Sequence, residues 1–96
     1  MIALYTPDGS VTMRDRPASL NEVNELVGDP GMAIVGLAGA PTMMGFVNDS
    51  GHVAGLPRNL FGSLMLVALG ARMHPYAGPV VITGWALGSV PGLVEA

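Results

Sequence analysis

Between Val11 and Arg14 apolar and polar residues alternate with a period of two, and between Leu20 and Val27 the apolar positions recur at three and four. The first spacing belongs to a strand with one face toward a core, the second to an amphipathic helix. Met1 to Tyr5 is a further apolar run, and Pro7-Asp8-Gly9-Ser10 carries hairpin chemistry: Pro presets φ and Gly supplies a positive φ. An antiparallel pair is predicted, with Val11 and Met13 toward the core and Thr12 and Arg14 toward solvent. Ser19-Leu20-Asn21-Glu22 reads as a capping box, the Ser19 hydroxyl taking the Glu22 amide and the Glu22 carboxylate returning to the cap amide. The helix that starts at Leu20 lines up Leu20, Val23, Leu26 and Val27, and Gly28 with Asp29-Pro30-Gly31 ends it.

Met32 to Leu37 and Thr42 to Asn48 are apolar runs that predict strands, separated by the helix-breaking Gly39-Ala40-Pro41. Asn48-Asp49-Ser50-Gly51 predicts a turn into a short outer strand at His52-Val53-Ala54, ended by Pro57. Asn59 is placed to cap a second helix from Leu60 to Leu69, closed by Gly70. Its apolar residues run nearly all round, so burial by the rest of the domain or by a second copy is expected, with Gly62 and Ser63 allowing close backbone approach. A loop holding His74-Pro75-Tyr76 leads to a last strand from Pro79 to Leu87, and residues 88–96 form a loosely held tail.

Half of the 96 residues are hydrophobic and 11% are charged, the reverse of a disordered chain, and the length suits one domain over residues 1–96. The expected fold is α+β: a mostly antiparallel sheet of about five strands with two helices packed on it, the second across one sheet face. A three-layer arrangement calls for a longer chain. Net charge is −3 and the acids are scattered, which leaves no basic face for duplex nucleic acid. With no cysteine and no lysine, thiolate, disulfide, Schiff-base and phosphate-loop-lysine chemistry are excluded, and Arg14, Arg16, Arg58 and Arg72 are the cationic donors. The start Met1-Ile2-Ala3-Leu4-Tyr5 lacks the charged region of a signal peptide. The longest apolar stretch, Leu64 to Leu69, falls short of the ~20 residues that span a bilayer, so a cytoplasmic protein with no membrane partner is expected.

The stretch Asn48-Asp49-Ser50-Gly51-His52-Val53-Ala54-Gly55-Leu56-Pro57-Arg58-Asn59 resembles the central motif of the family termed domain of unknown function 3846, an Asn-x-x-Gly turn followed by Gly-Leu-Pro-x-Asn. The N-terminal strand pair, the helix ending at Gly28 and the Gly78 to Gly84 strand look like the same family in the same order. The unusually apolar Leu60 to Ala71 segment departs from its usual pattern. The resemblance implies an actinobacterial or bacteriophage accessory protein from a lineage that favours arginine over lysine, and it brings no agreed activity and no catalytic residues.

Most enzyme constellations fail on inventory, which leaves an uncharacterised hydrolase as a third reading. Ser63 lies in Phe-Gly-Ser-Leu rather than a nucleophile elbow, and Asp8, Asp29 and Asp49 each have a turn role. His52, His74 and Asp49 lack the spacing of a metal site. Neither Gly28-Asp29-Pro30-Gly31 nor Gly36-Leu37-Ala38-Gly39 matches a phosphate-binding fingerprint. Gly55-Leu56-Pro57-Arg58-Asn59 differs, because it puts Arg58 and an amide side chain at a helix N-terminus, where free N–H groups and the dipole favour an anion. The plain alternative makes Asn59 a cap and Arg58 a solvated charge. Trp85, Tyr76 and His74, with Tyr5 a further candidate, offer ring surfaces for stacking, against core packing as the ordinary use of Trp85 in a strand.

These residues point to a non-catalytic binding protein without cofactor or metal. The expected site comprises Arg58, Asn59, Asn48, Trp85, Tyr76 and His74, and the expected partner is a small anionic or nucleotide-like ligand, such as a host immune signal held by sequestration. The alternative is an interaction module or homo-oligomeric inhibitor of a host protein, built on the apolar second helix and an open sheet edge.

Overall fold

The structure, a computed structural model, describes residues 1–16, 19–51 and 54–84. Strands β1 (Ile2–Tyr5) and β2 (Val11–Arg14) form the expected hairpin, helix α1 (Leu20–Val27) follows, and β3 (Met32–Val35) and β4 (Met43–Asn48) form a second antiparallel pair. Helix α2 (Leu60–Ala68) precedes β5 (Val80–Gly84), which inserts between β1 and β4. The sheet runs β2-β1-β5-β4-β3, antiparallel throughout, so the last of the described strands is the middle one and all four side chains from Val80 to Thr83 are buried. The fold is small α+β, as its run patterns predict.

Local chemistry accounts for the elements. In the first turn, Asp8 Oδ1 accepts from the Ser10 amide at 2.9 Å and from the Thr6 hydroxyl, and Gly9 sits at φ 92°. Ser19 caps α1 by accepting from the Glu22 amide at 3.2 Å. The other half of the capping box does not close: the Glu22 carboxylate turns to Arg16 and takes two guanidinium bonds, at 2.8 and 2.5 Å, because a charged bidentate partner outcompetes a neutral amide.

The helices occupy opposite faces of the sheet. Beneath α1, Val23 and Val27 meet Ile2, Phe46 and Val81; on the other face Leu66 of α2 joins Ala3, Tyr5, Val47, Val80 and Ile82. Three layers therefore fit into a chain that seemed too short for them, since each outer layer is a single helix of two turns or so. Gly45 makes the α2 contact possible: a Cβ there would lie 2.8 Å from Leu66 Cδ2.

Three expectations are corrected. Val11 and Met13 are not core but 40% and 59% exposed, because α2 packs on β1, β5 and β4 and leaves the edge strand β2 uncovered. The predicted strand at His52-Val53-Ala54 is not formed at Ala54, whose amide bonds to Ser50 O at 2.8 Å within a turn, while His52 and Val53 lie outside the described residues. Of the two burials expected for α2, that by the rest of the domain is incomplete: Leu60, Phe61 and Leu64 are 74%, 44% and 50% exposed. Trp85 and the expected 88–96 tail lie outside the described residues.

Candidate functional site

Asn59 stands at the N-terminus of α2 and is 1% exposed. Its Oδ1 accepts from the Gly62 amide at 2.9 Å, and its Nδ2 donates to the carbonyls of Tyr5 at 2.8 Å and Gly78 at 2.9 Å. Both amide hydrogens are engaged, so Asn59 is a cap and a staple rather than an available ligand donor. The same correction applies to Asn48, which is 6% exposed and donates to the carbonyls of Val27 and Asp29, both at 2.8 Å, while accepting from Ser50 N at 2.9 Å. In each case the side chain satisfies backbone groups that burial would otherwise leave without partners.

Ser63, one turn into α2, extends the staple. Its Oγ donates to Asn59 O at 2.7 Å and accepts from Tyr76 N at 3.0 Å, while Asn59 N donates to Tyr76 O at 2.9 Å. These bonds hold the loop after α2 against the helix start and set the position of Tyr76. Its ring meets the His74 imidazole edge to face, with centroids 4.6 Å apart. Arg58 pairs with Ala77 in an isolated antiparallel bridge, which fixes its backbone and leaves its side chain exposed.

A cleft of about 370 Å³ results, bounded by Arg58, Asn59 and Leu60 at the helix start and by Met73, His74 and Tyr76 from the loop. Its walls are almost wholly apolar and, among the described residues, hold no carboxylate, and Arg58 and His74 supply its cationic and imidazole groups. The first-turn amides not engaged by the cap are those of Leu60 and Phe61. Tyr76 also borders a smaller cleft of about 240 Å³ beside Asn48 and His74, and a larger one, about 650 Å³, along β3. That larger cleft is shallower and more open, so a small ligand would keep more of its surface in water there.

Of the expected site residues, Arg58, Asn59, Tyr76 and His74 thus share one cleft, Asn48 lies in the adjoining one, and Trp85 is outside the described residues. Tyr5, offered as a further ring, is interior: it is 7% exposed, stacks edge to face on Phe61 at 5.5 Å, and burial pushes its hydroxyl pKa upward. Leu60, Leu64 and Met73 also line the cleft; the all-round apolar pattern of α2 is the signal for the two leucines, and no local pattern points to Met73.

No family model, no curated protein and no solved structure matches this chain. Among the described residues, no helix is long and apolar enough to cross a membrane, and no three His, Cys, Asp or Glu side chains gather around a point that could hold a metal ion.

Proposed function

We propose that this protein is a non-catalytic binding protein whose cleft at the start of α2 takes a small anionic, ring-bearing ligand such as a nucleotide. The observation that carries the reading is the composition of that cleft, apolar walls and a ring pair beside Arg58, with no carboxylate among the described residues that line it. Apolar walls bury the body of a ligand, the Tyr76 and His74 rings offer a stacking face, and an arginine next to free helix amides attracts the anion. The resemblance to domain of unknown function 3846 adds a setting, an accessory protein acting in the cytoplasm of a bacterium or its phage-infected host, where capture of a nucleotide signal would be useful.

The test is titration of the ¹⁵N-labelled protein with adenosine monophosphate, adenosine and inorganic phosphate in turn. The nucleotide is expected to move the Leu60, Phe61 and Tyr76 amides, adenosine to bind more weakly, and Arg58→Ala to weaken the nucleotide about tenfold. Unmoved amides at millimolar nucleotide would remove the reading, and unchanged affinity in Arg58→Ala would remove Arg58 from it.

A second reading has its own observation. Leu60, Phe61 and Leu64 on α2 lie on the same side of the sheet as Val11 and Met13 on β2, all of them substantially exposed, and a partner protein would bury such a surface. A partner retained by the wild type and by Arg58→Ala but lost with Leu64→Glu would favour this interaction module over the ligand cleft.

A further inference from the structure

The sheet has two edges, and they are guarded differently. Strand β2 carries Arg14 and runs into Asp15 and Arg16, and charge on an edge discourages pairing with another chain. Strand β3 carries none: from Pro30 to Asn48 no residue is charged. Ile34, in the middle of β3, is 55% exposed.

The hydrogen-bond parity shows which backbone groups that edge presents. Asp49 N donates to Gly31 O at 3.0 Å, so Gly31 faces Asp49 as a bonded pair. Bonded and non-bonded pairs alternate along an antiparallel ladder, which makes Ala33 with Val47 and Val35 with Gly45 the next bonded pairs. Ile34 therefore turns its N–H and C=O away from β4, and so do the Met32 carbonyl and the Gly36 amide at its two sides. The Met32 amide is already taken, donating to Asn24 Oδ1 at 3.0 Å.

The charges at the two ends of this edge are opposite. At the start of β3 stand Asp29 and Asp49, both exposed. At its far end Arg72 borders the open cleft that runs past Ile34, Gly36 and Ala38, and among the described residues it has no ion-pair partner. In an antiparallel copy of the same edge the acidic end of each chain lies toward the Arg72 end of the other, twice, by symmetry. A parallel copy would set like against like.

We infer that β3 is a self-pairing edge, and that two copies of this chain join there about a two-fold axis through Ile34 into one continuous sheet. Ile34 faces Ile34 of the partner subunit and exchanges two backbone bonds with it. Each Gly36 amide donates to the Met32 carbonyl of the partner subunit, which adds two more. The two Ile34 side chains fall side by side on the α1 face and cover each other. Closure by a two-fold axis ends assembly at the dimer. A four-residue edge buries well under the roughly 800 Å² per partner of a standard complex, so the dimer is weak and concentration-dependent. The inference is independent of the ligand cleft.

Sedimentation equilibrium across a wide concentration range, with amide exchange, tests it on the intact protein. The wild type is expected to dimerise reversibly, with Ile34 and Gly36 amides gaining protection as concentration rises. Ile34→Lys, at an exposed position that leaves the core alone, should weaken the dimer at least about tenfold. Asp49→Arg and Arg72→Asp should each weaken it about fivefold, and the double charge swap should restore it to within about threefold of wild type. A protein that stays monomeric to millimolar concentration overturns the inference. So does a dimer indifferent to Ile34→Lys but lost with Leu60→Glu, which would put the interface on α2, or a charge swap that fails to restore what the single changes lose.

Discussion

Asn59 joins three pieces of chain with one side chain: the first turn of α2, the end of β1 and the approach to β5. Replacing it with Ala removes a helix cap worth about 1 kcal/mol and leaves the Tyr5 and Gly78 carbonyls buried without a donor, at about 1 kcal/mol or more each. A total loss of about 3 kcal/mol is expected from urea unfolding of Asn59→Ala. Asn59→Asp should lose at least as much, because it turns an acceptor toward two carbonyls, and a mild effect of both changes would show the staple to be dispensable. Tyr76 depends on the same network through Ser63, so Ser63→Ala should loosen the cleft wall and show as faster exchange of the Tyr76 amide. Glycine matters at Gly45 for a different reason. Its missing Cβ is the space into which Leu66 Cδ2 packs, and Gly45→Ala should cost about 1 to 3 kcal/mol by overpacking.

Strand β2 and helix α2 show how position within the sheet overrides a residue's intrinsic preference. Val11 and Met13 alternate correctly for a buried face, and the register puts them on the α2 side, opposite Tyr5 and Ala3. That side is simply not covered over β2. Met13→Thr is therefore expected to change stability by no more than about 0.5 kcal/mol, whereas Leu66→Ala, on the covered side, should lose about 2 to 5 kcal/mol. Thermal or urea unfolding of the pair checks the layer assignment directly, and comparable losses would contradict it. Helix α2 itself has no charged residue, and its exposed Leu60 and Leu64, with Met73 from the loop, are what make its N-terminal cleft apolar.

Acid should weaken the assembled fold through two surface groups. Hydrogen bonds from Thr6 and the Ser10 amide hold the Asp8 carboxyl below its ordinary pKa, and Arg16 does the same for Glu22. Both folded pKa values lie below the unfolded ones, so the folded chain binds fewer protons in the ordinary carboxylate range of about pH 4. The stabilisation is complete above that range and is lost as pH falls through it to the depressed folded values. The melting temperature should drop between about pH 5 and 3, and the double change Asp8→Asn with Glu22→Gln should flatten that slope. An undiminished slope would assign the acid sensitivity to other carboxylates. Much of the architecture was legible from local pattern alone: both helix caps, the first hairpin, the strand runs and the α+β class follow from side-chain chemistry acting within a few residues. Arg58, His74 and Tyr76 were legible as chemistry, but Asn48 and Asn59 were misread as ligand donors because nothing local says that their partners are distant carbonyls. Which strand lies in the middle, which edge is left open and which faces the helices cover are long-range outcomes. A period of two tells which side chains share a side of the sheet, and only the packing of α1 and α2 decides which of those sides is dry.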